Sequence, residues 1–354
     1  MTDGRRSGEQ ASPVQSMDPA TTYRHRVPAD KLVTGITPNS DIFVLAHFGV
    51  PRIELRQWRL QISGMVDRPA TLTFEDLLGF AKVEIQSFIN CAGFPANPKI
   101  ATRNVSNAVW AGADLAEVLD SVGVQPSASF IWSYGPDHGT YQKWRADCYV
   151  KDLPMERLRS GKVLLAYEMN GEPLSRAHGY PLRLFIPGFY GTNSVKWLSR
   201  IELSDRRAPG IFTTELYNDP VPAGSTGLSR GTAPVWEVPP EALIVSPAAN
   251  AKVPVGPIPI WGWAWGMRQI AFVEISLDKG PSWHRVDAGQ RTENSWQRFD
   301  FTWNQKTPGA FSVMARATDL DGKTQPDLDA RNAVHRIDIE VQRPPGCWSG
   351  SPVS

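Results

Sequence analysis

The period of the apolar positions changes several times along this chain, and each change marks an element. Trp58, Leu60 and Ile62 alternate with polar residues, which predicts a strand with one buried face. Thr73 stands three residues before Asp76 and just ahead of Leu77, Leu78 and Phe80, the spacing of a capping box that opens a short helix. Val83, Ile85, Ser87 and Ile89 alternate again and deliver the chain to Asn90 and Cys91. Leu115, Val118, Leu119 and Val122 fall at i, i+3, i+4 and i+7, a helix apolar on one side that Gly123 stops. Short apolar runs at 130–133, 163–167, 182–186 and 201–203 predict further strands. No regular strand–helix alternation and no GxGxxG turn occurs. The pattern therefore predicts an α+β domain with mixed sheets, not a doubly wound one.

The texture changes after residue 218. Pro220, Pro222, Pro234, Pro239 and Pro240, with Gly224, Gly227 and Gly231, read as a linker over 219–240. Beyond it, strand-like runs recur at 242–246, 258–265, 271–277, 283–287, 297–303, 310–318 and 334–341. Asp278-Lys279-Gly280 and the run Asp319 to Gly322 read as hairpin turns. About seven strands in about 105 residues predict a β-sandwich. Trp261, Trp263 and Trp265 lie two apart and share one strand face, which predicts sandwich core or a contact between copies. The plan is thus a tail over 1–30, a first domain over 31–218, the linker, a sandwich over 241–345 and a tail over 346–354. Residues 1–20 read as disordered, and the next twenty as extended or irregular.

Composition narrows the function. The 354 residues suit two domains, and 41% hydrophobic against 21% charged residues is enough for packed cores. Lys and Arg number 37 against 36 Asp and Glu, so a net charge of +1 gives no global attraction to nucleic acid or anionic membrane. Thirteen Trp residues call for large buried surfaces or a cofactor pocket. Cys91, Cys148 and Cys347 are too few for a disulfide framework or a Cys-rich zinc site, and no CxxCH attaches a haem. No apolar run reaches the roughly 18–20 residues of a membrane span; the longest, 253–267, is interrupted by Pro254, Gly256, Pro257 and Pro259. Arg5-Arg6 has no apolar stretch behind it, so the chain as written reads as cytoplasmic, or as periplasmic if a leader has been removed.

Two places carry chemistry. Cys91 ends a strand and precedes Ala92 and Gly93, small residues that permit close approach. A buried inert thiol is one reading; a soft metal ligand is the other, and one Cys needs a cofactor to complete the coordination. The run from His178 to Trp197 sets His178, Arg183 and Lys196 around a Gly-rich turn at Gly188–Gly191. Cations with backbone N–H groups suit a phosphate, and a solvated hairpin is the plain alternative. Cys148 reads as structural, Cys347 as exposed in its tail, and Asp137-His138 as a turn.

Taken together, these blocks resemble the sulfite oxidase family of molybdopterin enzymes. Phe43 to Pro51 resembles the loop in which an aromatic residue and a His border the pterin. Asn90-Cys91-Ala-Gly and Ala108 to Ala113 resemble the Cys-Ala-Gly and Trp-x-Gly blocks. Tyr149 to Met155 resembles the block of the active-site Tyr, and Leu165 to Leu174 with His178 to Trp197 resembles the cofactor-binding block. Ile260 to Trp265 and Val273 to Trp283 resemble the dimerisation domain, an immunoglobulin-like sandwich. The resemblance implies molybdenum on one pyranopterin dithiolene per chain, with Cys91 as the protein's sulfur ligand. It implies that Phe43, His47, His178, Arg183 and Lys196 hold the pterin and its phosphate, helped by the backbone of Thr192, Asn193 and Ser194. It implies that Tyr149 stabilises charge beside the metal, and that the reaction is two-electron oxygen-atom transfer on a small molecule. It also implies a homodimer through the C-terminal domain. With no haem domain in the chain, electrons go to, or come from, a separate carrier, a cytochrome or other redox protein.

The departures from the family pattern bear on the substrate. Leu45 and Ala46 stand where the family usually has Arg and Asn, and Phe94-Pro95-Ala96 where the sulfite enzymes usually show Asn-Arg-Arg. Asn193 takes a phosphate-side Arg position. The expectation is an anion pocket rebuilt as apolar, and a substrate less anionic than sulfite, such as an S-oxide or N-oxide. The alternatives are a true sulfite dehydrogenase whose cation has moved to Lys99, Arg103, Lys143 or Arg145, and a non-catalytic relative that serves as an interaction scaffold.

Overall fold

The computed structural model describes residues 22–220 and 231–343. Cys347 lies outside them. In the first domain two sheets enclose the core. One runs in the order Tyr149–Pro154, Phe130–Gly135, Arg200–Ser204, Leu60–Gly64, Ala70–Leu72. It is mixed, because Arg200–Ser204 pairs parallel with Leu60–Gly64 and the other pairs are antiparallel. The other sheet runs Glu172–Pro173, Leu164–Met169, Val105–Asp114, Lys82–Asn90, with Arg183–Phe185 added to Leu164–Met169. Every strand and helix anticipated here is present within a few residues. The Thr73–Asp76 capping box forms in both directions ahead of Phe74–Leu78. The helix Leu115–Val122 buries all four of its periodic residues and ends at Gly123, whose φ of 73° spares it a Cβ clash.

The strands Val105–Asp114 and Tyr149–Pro154 escape the alternation test. Both are buried on nearly every residue, so neither face keeps a polar rhythm. Residues 22–26 fall in the stretch expected to be extended or irregular, and they are extended. Tyr23–His25 pairs antiparallel with Val44–Ala46, setting Arg24 directly across from Leu45. Such long-range pairing has no signature in the local sequence.

The C-terminal strands form the sandwich. A three-stranded sheet, Glu241–Ser246, Gly256–Trp265 and Gln297–Gln305, faces a five-stranded one. The latter runs Lys252–Pro254, His335–Gln342, Gly309–Asp319, Ile270–Ser276, His284–Asp287. Asp278 to Gly280 makes the anticipated hairpin. Asp319 to Gly322 turns, but no hairpin follows: after a single bridge from Thr318 to Thr324 the chain runs out through 325–334 to the first domain before it returns.

The two domains share one seam. Trp263 and Trp265 pack with the first domain's core and not with the sandwich core. Trp263 stacks on Trp296 at 4.6 Å, and their indole N–H groups donate to Leu32 and Gly35 carbonyls. The tryptophan stripe therefore covers a neighbouring domain of the same chain. Glu241, fully buried, sits 3.7 Å from Arg103. The anticipated linker is likewise no loose spacer over its described part. Asn218–Pro220 pairs with Thr232–Pro234, and Val235 and Val238 are buried in the first domain's core; residues 221–230 lie outside the described residues.

Candidate active site

A cleft opens where the ends of the first domain's strands meet the loop from Tyr180 to Trp197. Phe43, His47, Cys91, Tyr149, His178, Arg183, Thr192, Ser194 and Lys196 all line it. Residues more than 150 positions apart are brought together because Val44–Ala46, Lys82–Asn90, Tyr149–Pro154 and Arg183–Phe185 all end there. Asn193 alone among the anticipated residues turns away. Its amide donates to the carbonyls of Tyr190 and Val235, tying the loop to the linker segment.

Cys91 follows the strand Lys82–Asn90 and is buried. Burial pushes its thiol up, opposed first by the Gly93 N–H that donates to Sγ at 3.3 Å and then by the charges of Arg26, Arg331 and Arg24. Gly93 has a φ of 74° and packs against Thr102, so the turn admits no side chain. Arg331 locks this loop from the far domain. Its guanidinium donates to the Ala92, Phe94 and Pro95 carbonyls and makes a bidentate pair with Asp219 at 2.6 and 2.7 Å. Nothing in the sequence around Arg331 indicates this role, since the 325–334 excursion carries it there.

The opposite wall is cationic. Arg183 donates to the His178 and Ser194 carbonyls while its Nε remains buried without a partner. Burial alone lowers its pKa to about 9. Lys196 donates to the Leu45 and Ala177 carbonyls, and burial first, then Arg183, lowers its pKa. Asp137 is the one carboxylate among the described lining residues; burial raises it and Lys196 counteracts. His47 and His178 are both held neutral, down to about 3, by burial and then by Lys196 and Arg183 respectively. One buried and one half-buried cation against one buried carboxyl leave positive charge that the lining side chains do not compensate. A buried, anionic ligand would supply that compensation.

Aromatic rings floor the cleft. Tyr149 donates its hydroxyl to the Thr192 carbonyl at 2.7 Å and lies stacked on Phe212 at 4.7 Å. Tyr217 shares a 3.0 Å hydrogen bond with His47 Nε2. Asp137 and Tyr217 both line the cleft; the sequence sets Asp137 in a turn that the family resemblance places near an acidic pterin contact, and it gives Tyr217 no role. Each is placed by pairing or packing far along the chain. The donor set fits a metal carried in on a cofactor. Among the described residues no group of three or more His, Cys, Asp or Glu side chains is arranged around a metal position. Cys91 stands as a single soft donor opposite a charged, phosphate-suited wall.

A two-sheet domain with one thiol facing a buried cationic wall, followed by a sandwich, defines the class of molybdopterin-dependent oxidoreductases. The Oxidoreductase molybdopterin binding domain matches residues 47–212, and the Mo-co oxidoreductase dimerisation domain matches 232–340. The chain belongs to the sulfite oxidase family, and molybdenum with molybdopterin is its cofactor. It is 30% identical over 342 residues to the mitochondrial sulfite oxidase of Homo sapiens, covering 86% of this chain and 62% of that one. With that of Drosophila melanogaster it is 28% identical over 345 residues, covering 86% and 59%. The chain thus spans about three-fifths of the length of these relatives. Its fold matches the crystal structure of the sulfane dehydrogenase SoxCD from Paracoccus pantotrophus with a TM-score of 0.77 at 27% identity, covering 92% of this chain and 86% of that one. Among the described residues, no helix is long and apolar enough to cross a membrane.

Proposed function

We propose that Cys91 supplies the protein's sulfur ligand to molybdenum and that the chain catalyses two-electron oxygen-atom transfer on a small molecule other than sulfite. The bound cofactor supplies the redox chemistry. Arg183, Lys196 and the Thr192–Ser194 backbone hold its phosphate end. His47 and His178, kept neutral, present ring nitrogens to the pterin without adding charge. Tyr149 keeps a hydroxyl fixed beside the Cys91 side of the cleft, in water-poor surroundings where a hydrogen bond to developing charge is strong. The observation that carries the reading is the single buried thiol facing uncompensated cations.

A separate carrier, a cytochrome or other redox protein, takes up two electrons if the substrate gains oxygen and supplies two if it gives oxygen up, and the C-terminal domain forms a homodimer. The reading is tested by measuring molybdenum and pterin in the purified protein beside Cys91→Ala, with visible spectra of both. Near one of each per chain, with an absorption band lost in the variant, supports it. Pterin without any Cys91-dependent band refutes the ligation.

A second reading, sulfite oxidation with a relocated cation, has one observation in its favour. Arg24, Arg26 and Arg103 line the outer approach to Cys91. Strong competitive inhibition by sulfate would favour it over the first.

A further inference from the structure

A second cleft, about 340 Å³, also reaches Cys91. Its character differs from the expected apolar pocket. Of the cations anticipated as replacements, only Arg103 reaches it, and Arg103 is engaged by Glu241 and the Ala333 carbonyl. Arg145 faces Asp147, Lys143 covers Trp144, and Lys99 lines a different cleft. The available charge comes instead from Arg24 and Arg26. Arg24 is the cross-strand partner of Leu45, and residues directly opposite in an antiparallel pair have Cβ atoms about 5 Å apart. Arg26 follows two residues on, next to the strand end, and both reach the cleft that contains Cys91. Among the described residues no carboxylate pairs with either, and both are exposed.

The rest of the wall is apolar. Phe94 and Ile100 are 48% and 44% exposed, and both line the cleft. Large apolar side chains left open beside two guanidinium groups suit a ligand with one charged end and one greasy end. A bare oxyanion would meet the arginines and leave the Phe94–Ile100 wall and most of the volume to water.

Resting on the molybdopterin reading above, we propose that this outer cleft selects an organic anion, its acid group held by Arg24 and Arg26 and its apolar body laid against Phe94 and Ile100. Such a substrate is larger and less densely charged than sulfite. The head group is taken by arginines supplied from the N-terminal strand.

The test is calorimetric binding of benzenesulfonate and of inorganic sulfate to the purified holoprotein, with molybdenum content measured on the same samples. Benzenesulfonate should bind at least about tenfold more tightly than sulfate, and the R24Q/R26Q double variant should lose about tenfold or more of that affinity. Phe94→Ser should weaken benzenesulfonate and leave sulfate unchanged. The three side chains replaced here are exposed, and unchanged melting temperatures confirm that the variants fold. Equal affinity for the two anions, or an arginine variant that binds as the parent does, overturns this proposal while a loaded molybdenum site keeps the underlying reading. Protein purified without molybdenum from a host that makes the cofactor overturns the underlying reading, and this proposal with it.

Discussion

The two clefts that meet at Cys91 handle positive charge in opposite ways. In the inner one, Arg183 is buried and Lys196 half-buried; both donate to backbone carbonyls and have their pKa values pulled down, first by desolvation. In the outer one, Arg24 and Arg26 are exposed and keep their hydration. Burying a cation is costly unless a partner meets it, so the inner wall suits a ligand that stays for the life of the protein. Exposed guanidinium groups can capture and release, since water replaces the ligand at little cost. The difference separates a permanent cofactor from an exchanging substrate within one continuous opening.

The sharpest way to break this comparison is to remove the thiol that both clefts share. Cys91→Ser should cut oxygen-transfer activity by about 10³-fold or more, equivalent to roughly 4 kcal/mol of barrier, while pterin content stays near that of the parent. Steady-state rates with parallel pterin analysis check this; an active variant would remove Cys91 from the reaction.

Arg331→Ala comes next. It strips the donors from the Ala92, Phe94 and Pro95 carbonyls and leaves Asp219 without its bidentate partner. A loss of about 2–3 kcal/mol in unfolding free energy is expected, discounted because Asp219 is 31% exposed. Denaturant unfolding measures it, and a loss below about 0.5 kcal/mol would show that the sandwich domain does not brace the Cys91 loop.

Arg183→Gln should act on retention of the cofactor more than on stability. A drop of about 10- to 100-fold in pterin affinity is expected, since an inner cation is lost while the cleft keeps its shape. Pterin lost per chain on extended dialysis reads this out. Unaltered retention would mean that the cationic wall holds something else.

The smallest effect is on pH dependence. His47 and His178 stay neutral in the fold down to about 3, as does His335 in the sandwich, where burial is the main cause and Arg103 adds to it. The unfolded chain takes up protons on these rings below about 6.5 and the folded chain does not. Stability of the cofactor-free protein should therefore fall as pH drops from 6.5 towards 3, by about 1 kcal/mol per pH unit for each ring. Asp137 and Glu241, which burial keeps protonated up to about 7 and 8, act in the opposite sense, and replacing His47 and His178 with Gln should flatten the slope of unfolding free energy against pH by about 2 kcal/mol per pH unit. An unchanged slope would place the acid sensitivity elsewhere.

Much of this was legible because several elements advertise themselves locally. The Thr73–Asp76 box, the Leu115–Val122 stripe and the sandwich strands each satisfy a short-range rule, and the structure forms them all. Phe43, His47, Cys91, Tyr149, His178, Arg183, Thr192, Ser194 and Lys196 were named from motif blocks, and they line one cleft. Asn193 was named with them, but its side chain is spent on the Tyr190 and Val235 carbonyls. Asp137, Tyr217, Arg24 and Arg331 were not assigned site roles. Asp137 and Tyr217 reach the inner cleft through distant packing, Arg24 through pairing with Val44–Ala46, and Arg331 through an excursion from another domain.

The sequence by itself determined the element types, the order of the two domains, and which thiol and which cations were available for chemistry. Those properties follow from side-chain period, turn residues and residue type, all of which act over a few positions. Only the tertiary structure decided that the Trp263–Trp296 stack seals a seam within one chain, that Arg331 braces the Cys91 loop, and that the cations at the outer cleft come from residues 24 and 26. Each depends on contacts between residues far apart in the chain. Their energies come from burial and charge pairing in three dimensions, and these leave no periodic trace in the order of the residues.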